Sequence, residues 1–177
     1  MELLDSTLVH DGFLKVFKNT YQTGEQTFVR EVLERGNSVS ALVYNLDTRL
    51  YYFVSQPRPV IFNEIENPDN FIELVAGMID KDETPWDAVI REITEELGFV
   101  DFKDVIFISK FFPSPGGCSE KIYLFYVEVT DKNKLETTGV DDENITIVTF
   151  TEEQLKDIEF YDAKTIIAQQ YLLKNAE

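Results

Sequence analysis

Histidine and cysteine are nearly missing from this chain of 177 residues: His10 and Cys118 stand alone. One cysteine cannot close an internal disulfide, which fits a reducing, cytoplasmic setting. A lone histidine in a strand-like N-terminal segment reads as a surface or interface residue, so chemistry built on a histidine base has little support. Basic residues are scarce as well, with 16 Lys and Arg against 33 Asp and Glu and a net charge of -17. Such a chain repels phosphate backbones, which argues against general nucleic-acid binding. A small anionic substrate stays open if a metal cation supplies the attraction, and the surplus of carboxylates suits hard, oxygen-binding cations. Long apolar runs are also absent. The longest, Leu50 to Val54 and Ile122 to Val127, fall far short of the ~20 residues that a membrane-spanning helix needs. The opening Met1-Glu2-Leu3-Leu4-Asp5 has no basic cluster followed by an apolar stretch, so no secretory signal is expected.

No repeat, low-complexity tract or Pro/Gly-rich linker divides the chain, and its length suits one domain with a full core. Residues 1–36 read as extended segments, with apolar clusters at Phe13–Phe17 and Phe28–Leu33 on either side of the turn-prone Gly24, and are expected to form a small accessory sheet. Residues 37–177 are expected to hold the main domain. There, the alternation of Val39, Ala41 and Val43 predicts a half-buried strand, joined through Asn45-Leu46-Asp47 to a fully buried one at Leu50–Val54. Further strands are expected near Val105–Lys110, Ile122–Val129 and Ile145–Phe150. Two helices are interspersed among them. The C-terminal one, about Tyr161–Lys174, is expected to pack through Ala163, Ile166, Ile167 and Tyr171, and it is assigned no catalytic role. Strands with one inserted and one terminal helix make a mixed α+β domain.

The other helix carries the chemistry. Thr84 suits its N-cap, Pro85 its first position, Asp87 the capping-box place and Gly98 its stop. On a helical wheel Trp86, Ile90, Ile93 and Leu97 fall on one side, and Ala88, Glu92, Glu95 and Glu96 on another. Glutamates three and four apart repel by a few tenths of a kcal/mol per pair when merely solvated. Mg2+ or Mn2+ bound by their oxygens would turn that repulsion into coordination. A solvated acidic face is the bland alternative, and for an arbitrary helix it is the better one.

The surrounding spacing reverses that preference. Gly77, five residues, Glu83, seven residues, Arg91-Glu92-Ile93, one residue, Glu95-Glu96, one residue, Gly98-Phe99 resembles the Nudix box at every defining position. Chance agreement is on the order of one in 10^9 per window at average residue frequencies. The resemblance implies a Nudix fold, a mixed β-sheet sandwiched between helices, here with a small N-terminal antiparallel sheet. It implies that Glu92, Glu95 and Glu96, with the carbonyl of Ala76, hold the metal, and that Arg91 anchors Glu83. A planar guanidinium is suited to that task, since it binds a carboxylate through two parallel hydrogen bonds.

Outside the box, four segments are similar to the ADP-ribose and nucleoside-diphosphate-sugar pyrophosphatase branch. They are Gln56-Pro57-Arg58-Pro59, Glu73-Leu74-Val75-Ala76-Gly77, the loop from Ser114-Pro115-Gly116 to Glu120, and Asp162-Ala163-Lys164-Thr165. Arg58 could hold a diphosphate by charge-assisted hydrogen bonds, or be a surface arginine. Glu73 could accept from sugar hydroxyls, or face water at a strand edge. Ser114, Pro115 and Gly116 suit a pocket-lining loop, though a mere turn would look the same. The resemblance places the water-activating carboxylate in Val140-Asp141-Asp142-Glu143-Asn144, with Glu143 first and Asp141 second. It implies hydrolysis of ADP-ribose to AMP and ribose 5-phosphate. GDP-mannose or UDP-sugar hydrolysis is the alternative, and a non-catalytic nucleotide-sugar-binding domain is a further one. It also implies a homodimer using residues 1–36.

Overall fold

The computed structural model describes residues 1–136 and 145–175. Two compact units emerge: Met1–Asn37 with Phe111–Ile122, and Ser38–Lys110 with Tyr123–Glu177. The first contains an antiparallel sheet of β1 (Glu2–Asp11), β2 (Lys15–Thr23) and β3 (Gln26–Glu34). Gly24 adopts a left-handed φ of 60° in the two-residue loop between β2 and β3, a conformation that glycine reaches without steric cost. Every residue of β1 is exposed, so this strand carries none of the in-out alternation that marks a half-buried one. The segment Ser114–Ser119 pairs with β3: Leu33 N–H donates to Gly117 O at 2.8 Å, and Ser119 N–H donates to Leu33 O at 3.0 Å.

The second unit is built on a mixed sheet ordered β10-β5-β4-β9-β8, with β6 added on β5 and β7 on β4. Its strands are β4 (Ser38–Asn45), β5 (Leu50–Gln56), β6 (Phe71–Glu73), β7 (Val75–Met78), β8 (Asp101–Phe111), β9 (Ile122–Thr130) and β10 (Thr146–Phe150). The expected turn after β4 is present. Asn45 is fully buried, and its Oδ1 accepts from the N–H groups of Asp47 and Thr48 at 2.9 and 3.3 Å.

Among the described residues, three α-helices complete the unit: α1 (Pro85–Leu97), α2 (Glu152–Asp157) and α3 (Ala163–Asn175). Alternate residues of β4 divide the core. Val39, Ala41 and Val43 pack with Val89, Ile93 and Leu97 of α1 and with Phe125 and Val127 of β9. Phe53, from the opposite parity of β5, stacks on Phe160 at 5.4 Å between α2 and α3. The mixed α+β architecture is the one expected. The helix α2 was not anticipated, although Thr151 and Gln154 form its capping box in full, because six residues are too few to show a helical period.

Two helix faces differ from expectation. In α1 the buried residues are Ala88, Val89, Glu92, Ile93, Glu96 and Leu97, while Trp86 is 47% exposed. Trp86 packs edge-on to Phe125 at 5.1 Å, so it covers the core without entering it. In α3 the buried set is Lys164, Thr165, Ala168 and Gln169, and Ile166 lies at the surface. Hydrophobic spacing misplaced this face because its inner positions are polar groups with dedicated partners. Gln169 Nε2 donates to the carbonyls of Leu155 and Ile158 at 2.6 and 2.8 Å.

Thr165 fixes α3 to the strands that lead into the box. Its Oγ1 accepts from the N–H of Leu74, between β6 and β7, at 3.0 Å and donates to Asp162 Oδ2 at 2.6 Å. Thr165→Val keeps the shape but strands a buried N–H, so it should cost about 1–3 kcal/mol. Chemical denaturation measures this, and a change under about 0.5 kcal/mol would remove the hydroxyl from its anchoring role.

Candidate active site

The box sequence folds as a strand, a loop and a helix because each junction is chemically specified. Thr84 Oγ1 accepts from Asp87 N–H at 3.2 Å, the Asp87 carboxylate returns to Thr84 N–H at 3.4 Å, and Pro85 needs no donor at the first helical position. Gly98 ends the helix at φ 78° and donates to Thr94 O at 3.0 Å. The chain leaving β9 closes on this end, with Leu135 N–H donating to Gly98 O at 2.8 Å. Lys134 Nζ lies 4.1 Å from the ring centre of Phe99 and 4.9 Å from that of Tyr52. The segment that follows carries Asp141 and Glu143, and both lie outside the described residues.

Arg91 is the centre of the first cluster. Its Nε and Nη2 donate to the two oxygens of Glu83, each at 3.0 Å, as a fork-to-carboxylate pair requires. Nη2 also donates to Met78 O at 2.8 Å, and Nη1 to Glu92 at 2.7 Å and Glu95 at 3.1 Å. One guanidinium therefore gathers the box loop, the end of β7 and two helix glutamates. The Arg91 bonds hold the Glu83 carboxyl below its ordinary value, and the Asp80 N–H assists. Glu92 goes the other way: burial raises its carboxyl, against the pull of Arg91.

Gly77 explains how Glu92 fits. It pairs with Val39 in the sheet, and a Cβ added there would overlap the Glu92 carboxylate, so the missing side chain provides the place where that group lies. Glu96, four residues on, is also buried, whereas Glu95 is exposed. Ala76 sits beside Gly77 in β7. Three carboxylates and a backbone carbonyl are the hard oxygen donors that Mg2+ or Mn2+ takes, so the residues present fit such an ion. Among the described residues, no three acidic, histidine or cysteine side chains already converge as a ligand set; Arg91 Nη1 stands between Glu92 and Glu95.

A second cluster surrounds Glu73, which is buried at the end of β6, not at a wetted edge. Its Oε1 accepts from Arg58 Nε at 2.6 Å and Gln56 Nε2 at 3.1 Å, and its Oε2 accepts from Lys164 Nζ. Lys164 also pairs with Asp162 at 3.0 Å. Burial alone would raise the Glu73 carboxyl, but Lys164 and then Arg58 more than offset it and hold it low. Arg58 stands two residues past β5, capping the short 3-10 turn Pro59–Ile61. The sequence marks Lys164 only as part of a segment similar to the branch and gives α3 no catalytic role, so the pairing of Lys164 with Glu73 is a finding of the structure. The signal was a lysine at the helical spacing of the buried Ala168.

Ser114, Pro115 and Gly116 belong to the first unit. Ser114 O accepts from the N–H groups of Gly117 and Cys118 at 3.2 and 2.9 Å, which gives that loop a fixed turn.

A comparison with known families matches residues 34–170 to the NUDIX domain. The chain is 32% identical over 183 residues to a GDP-mannose pyrophosphatase of Enterobacter sp. (strain 638), covering 97% of this chain and 94% of that protein. It is 34% identical over 185 residues to a GDP-mannose pyrophosphatase of Yersinia enterocolitica, with the same two coverages. Among solved structures, a crystal structure of an ADP compounds hydrolase superposes with a TM-score of 0.76, covering 99% of this chain and 92% of that one at 18% identity, a likeness of fold.

Because Glu73 is depressed in the folded state, its contribution to stability is complete above the ordinary glutamate value of about 4.3 and is lost as pH falls through the lower folded value. Thermal unfolding of Glu73→Gln should therefore fall below wild type above about pH 5, and the gap should close on further acidification. A gap that widens in acid would contradict the assignment.

Proposed function

Since the chain belongs to the NUDIX domain family and is a pyrophosphohydrolase of it, we propose that it hydrolyses the diphosphate bond of a nucleoside-diphosphate sugar, with GDP-mannose preferred to ADP-ribose. The observation that carries the reaction is the carboxylate set of α1, organised on Arg91 and against Gly77. The observation that moves the substrate from the expected ADP-ribose toward GDP-mannose is the pair of relatives above, both GDP-mannose pyrophosphatases aligned over nearly their whole length. Water would attack one phosphorus of the P–O–P bridge and break its bond to the bridging oxygen, which leaves with the other phosphate, giving GMP and mannose 1-phosphate. A purely binding role is disfavoured because all three box glutamates are retained.

Ala76 O, Glu92, Glu95 and Glu96 would hold Mg2+ or Mn2+. When bound, such an ion neutralises charge that develops on the diphosphate. Arg91 restrains Glu83, Glu92 and Glu95 so that their repulsion does not splay the helix face. Arg58 and Lys164, fixed by Glu73, bring positive charge to an acidic molecule and would receive the diphosphate. Glu143, with Asp141 as second choice, would take the proton of the attacking water. Ser114, Pro115 and Gly116 would bind substrate, as the family resemblance implies.

A homodimer is part of the same proposal. The wholly exposed β1, together with the exposed Leu3, Leu4, Val9 and Phe13, offers apolar surface that a second copy would cover. Light scattering on the eluted protein should give twice the chain mass of 20.5 kDa. A monomer at micromolar concentration would remove the dimer.

The substrate is tested with a panel of GDP-mannose, ADP-ribose and UDP-glucose in Mg2+ and in Mn2+, scored for the released nucleoside monophosphate. GDP-mannose should give the highest kcat/KM, and Glu96→Gln should lower kcat by about 10^2-fold or more with unchanged thermal unfolding. A Glu96→Gln protein that turns over normally would take Glu96 out of the metal site.

A further inference from the structure

The second unit contains a cleft of about 490 Å3 between the segment Glu64–Ile72 and the α2–α3 connection at Ile158–Tyr161. Its volume lies within the range of ordinary small-ligand sites. It adjoins the Glu73 cluster through the chain itself, since Ile72 precedes Glu73 and Tyr161 precedes Asp162. The backbone braces that junction: Arg58 N–H donates to Pro68 O at 2.9 Å, and Asn70 N–H donates to Asn67 O at 3.2 Å.

The lining has a consistent chemistry. Glu66, Glu159, Asn67 and Asn70 offer carboxylate and amide groups, while Phe71 and Tyr161 offer ring surface. No lysine or arginine is among the lining residues. An anion would meet the carboxylates of Glu64, Glu66 and Glu159 there with no cationic side chain to offset them, so the cleft disfavours the phosphates that the adjoining Arg58 and Lys164 would attract. A neutral ligand with several adjacent hydroxyls suits it better: carboxylates accept from hydroxyls, amides both donate and accept, and aromatic faces cover C–H surface.

Resting on the reading of the protein as a nucleotide-sugar hydrolase, we infer that this cleft receives the hexose of the substrate, with Asn70 and Glu159 as residues that select it. The diphosphate then lies on the Arg58 and Lys164 side, and the change from positive to negative lining sets the direction in which the substrate enters. Asn70 and Glu159 are both exposed, so replacing them does not open a core.

The experiment compares KM for GDP-mannose with KM for the methyl ester of GDP, which keeps the base and diphosphate but lacks the hexose. Asn70→Ala and Glu159→Gln should raise KM for GDP-mannose about fivefold or more beyond any change with the methyl ester, the loss of one hydrogen bond in each case. Equal changes for the two substrates, or none, would overturn the cleft as a hexose site while leaving the hydrolase reading in place. A wild-type protein that hydrolyses neither substrate would overturn both. Tighter binding of a simple alkylammonium ion than of methyl mannoside, read by NMR line broadening at Tyr161, would mark a cation site and also overturn the proposal.

Discussion

Three glutamates of like charge can stay together beside one turn of helix only if something positive stands among them, and here that is the guanidinium of Arg91. It binds Glu83, Glu92 and Glu95 and the carbonyl of Met78, so the loop, the strand end and the helix are held by one side chain. A lysine could not reproduce this, because an ammonium lacks the planar fork that meets both oxygens of Glu83 while reaching past them. The partial burial of the cluster raises the stakes. Removing one partner from a buried ionic group costs more than the pair contributes, so the set is retained or lost together.

The same economy governs the second cluster. With a net charge of -17 the chain has few cations to place, and it commits two of them to one buried carboxylate. Glu73 draws Arg58 from beyond β5 and Lys164 from α3, while Thr165 of the same helix ties down Leu74. The result is a charge-balanced cluster, Arg58 and Lys164 against Glu73 and Asp162, with Glu73 four residues ahead of the first box glycine in the chain. The contacts that hold β5, β6 and α3 together are thus the ones to which the proposed function assigns the diphosphate.

Much of this was legible in the sequence. The box spacing named its own residues, and the caps of α1 at Thr84, Asp87 and Gly98 fixed its limits, because capping is a local interaction between neighbours in the chain. What local pattern could not show was burial decided by distant partners. Periodicity assigns Trp86 and Ile166 to inner faces; both lie at the surface, 47% and 38% exposed, while the polar Glu92, Lys164 and Gln169 lie inside. Each of these three has its place for a reason that only tertiary structure supplies: the space left by Gly77, the carboxylate of Glu73, the carbonyls of Leu155 and Ile158. Substrate preference was the least legible, since the segments that mark the branch are shared by hydrolases of different nucleotide sugars. The two relatives are GDP-mannose pyrophosphatases, a distinction that those segments do not carry.

Gly77 and Arg91 would place the α1 carboxylates to receive a divalent ion. Titration of the purified chain with Mn2+, followed by the loss of the free-ion paramagnetic resonance signal, tests it without any substrate. Saturable binding is predicted for the wild type, weakened about 10-fold or more in Gly77→Ala, whose new methyl group must displace Glu92. Equal affinity in the two proteins, or no saturable binding in either, would contradict the account.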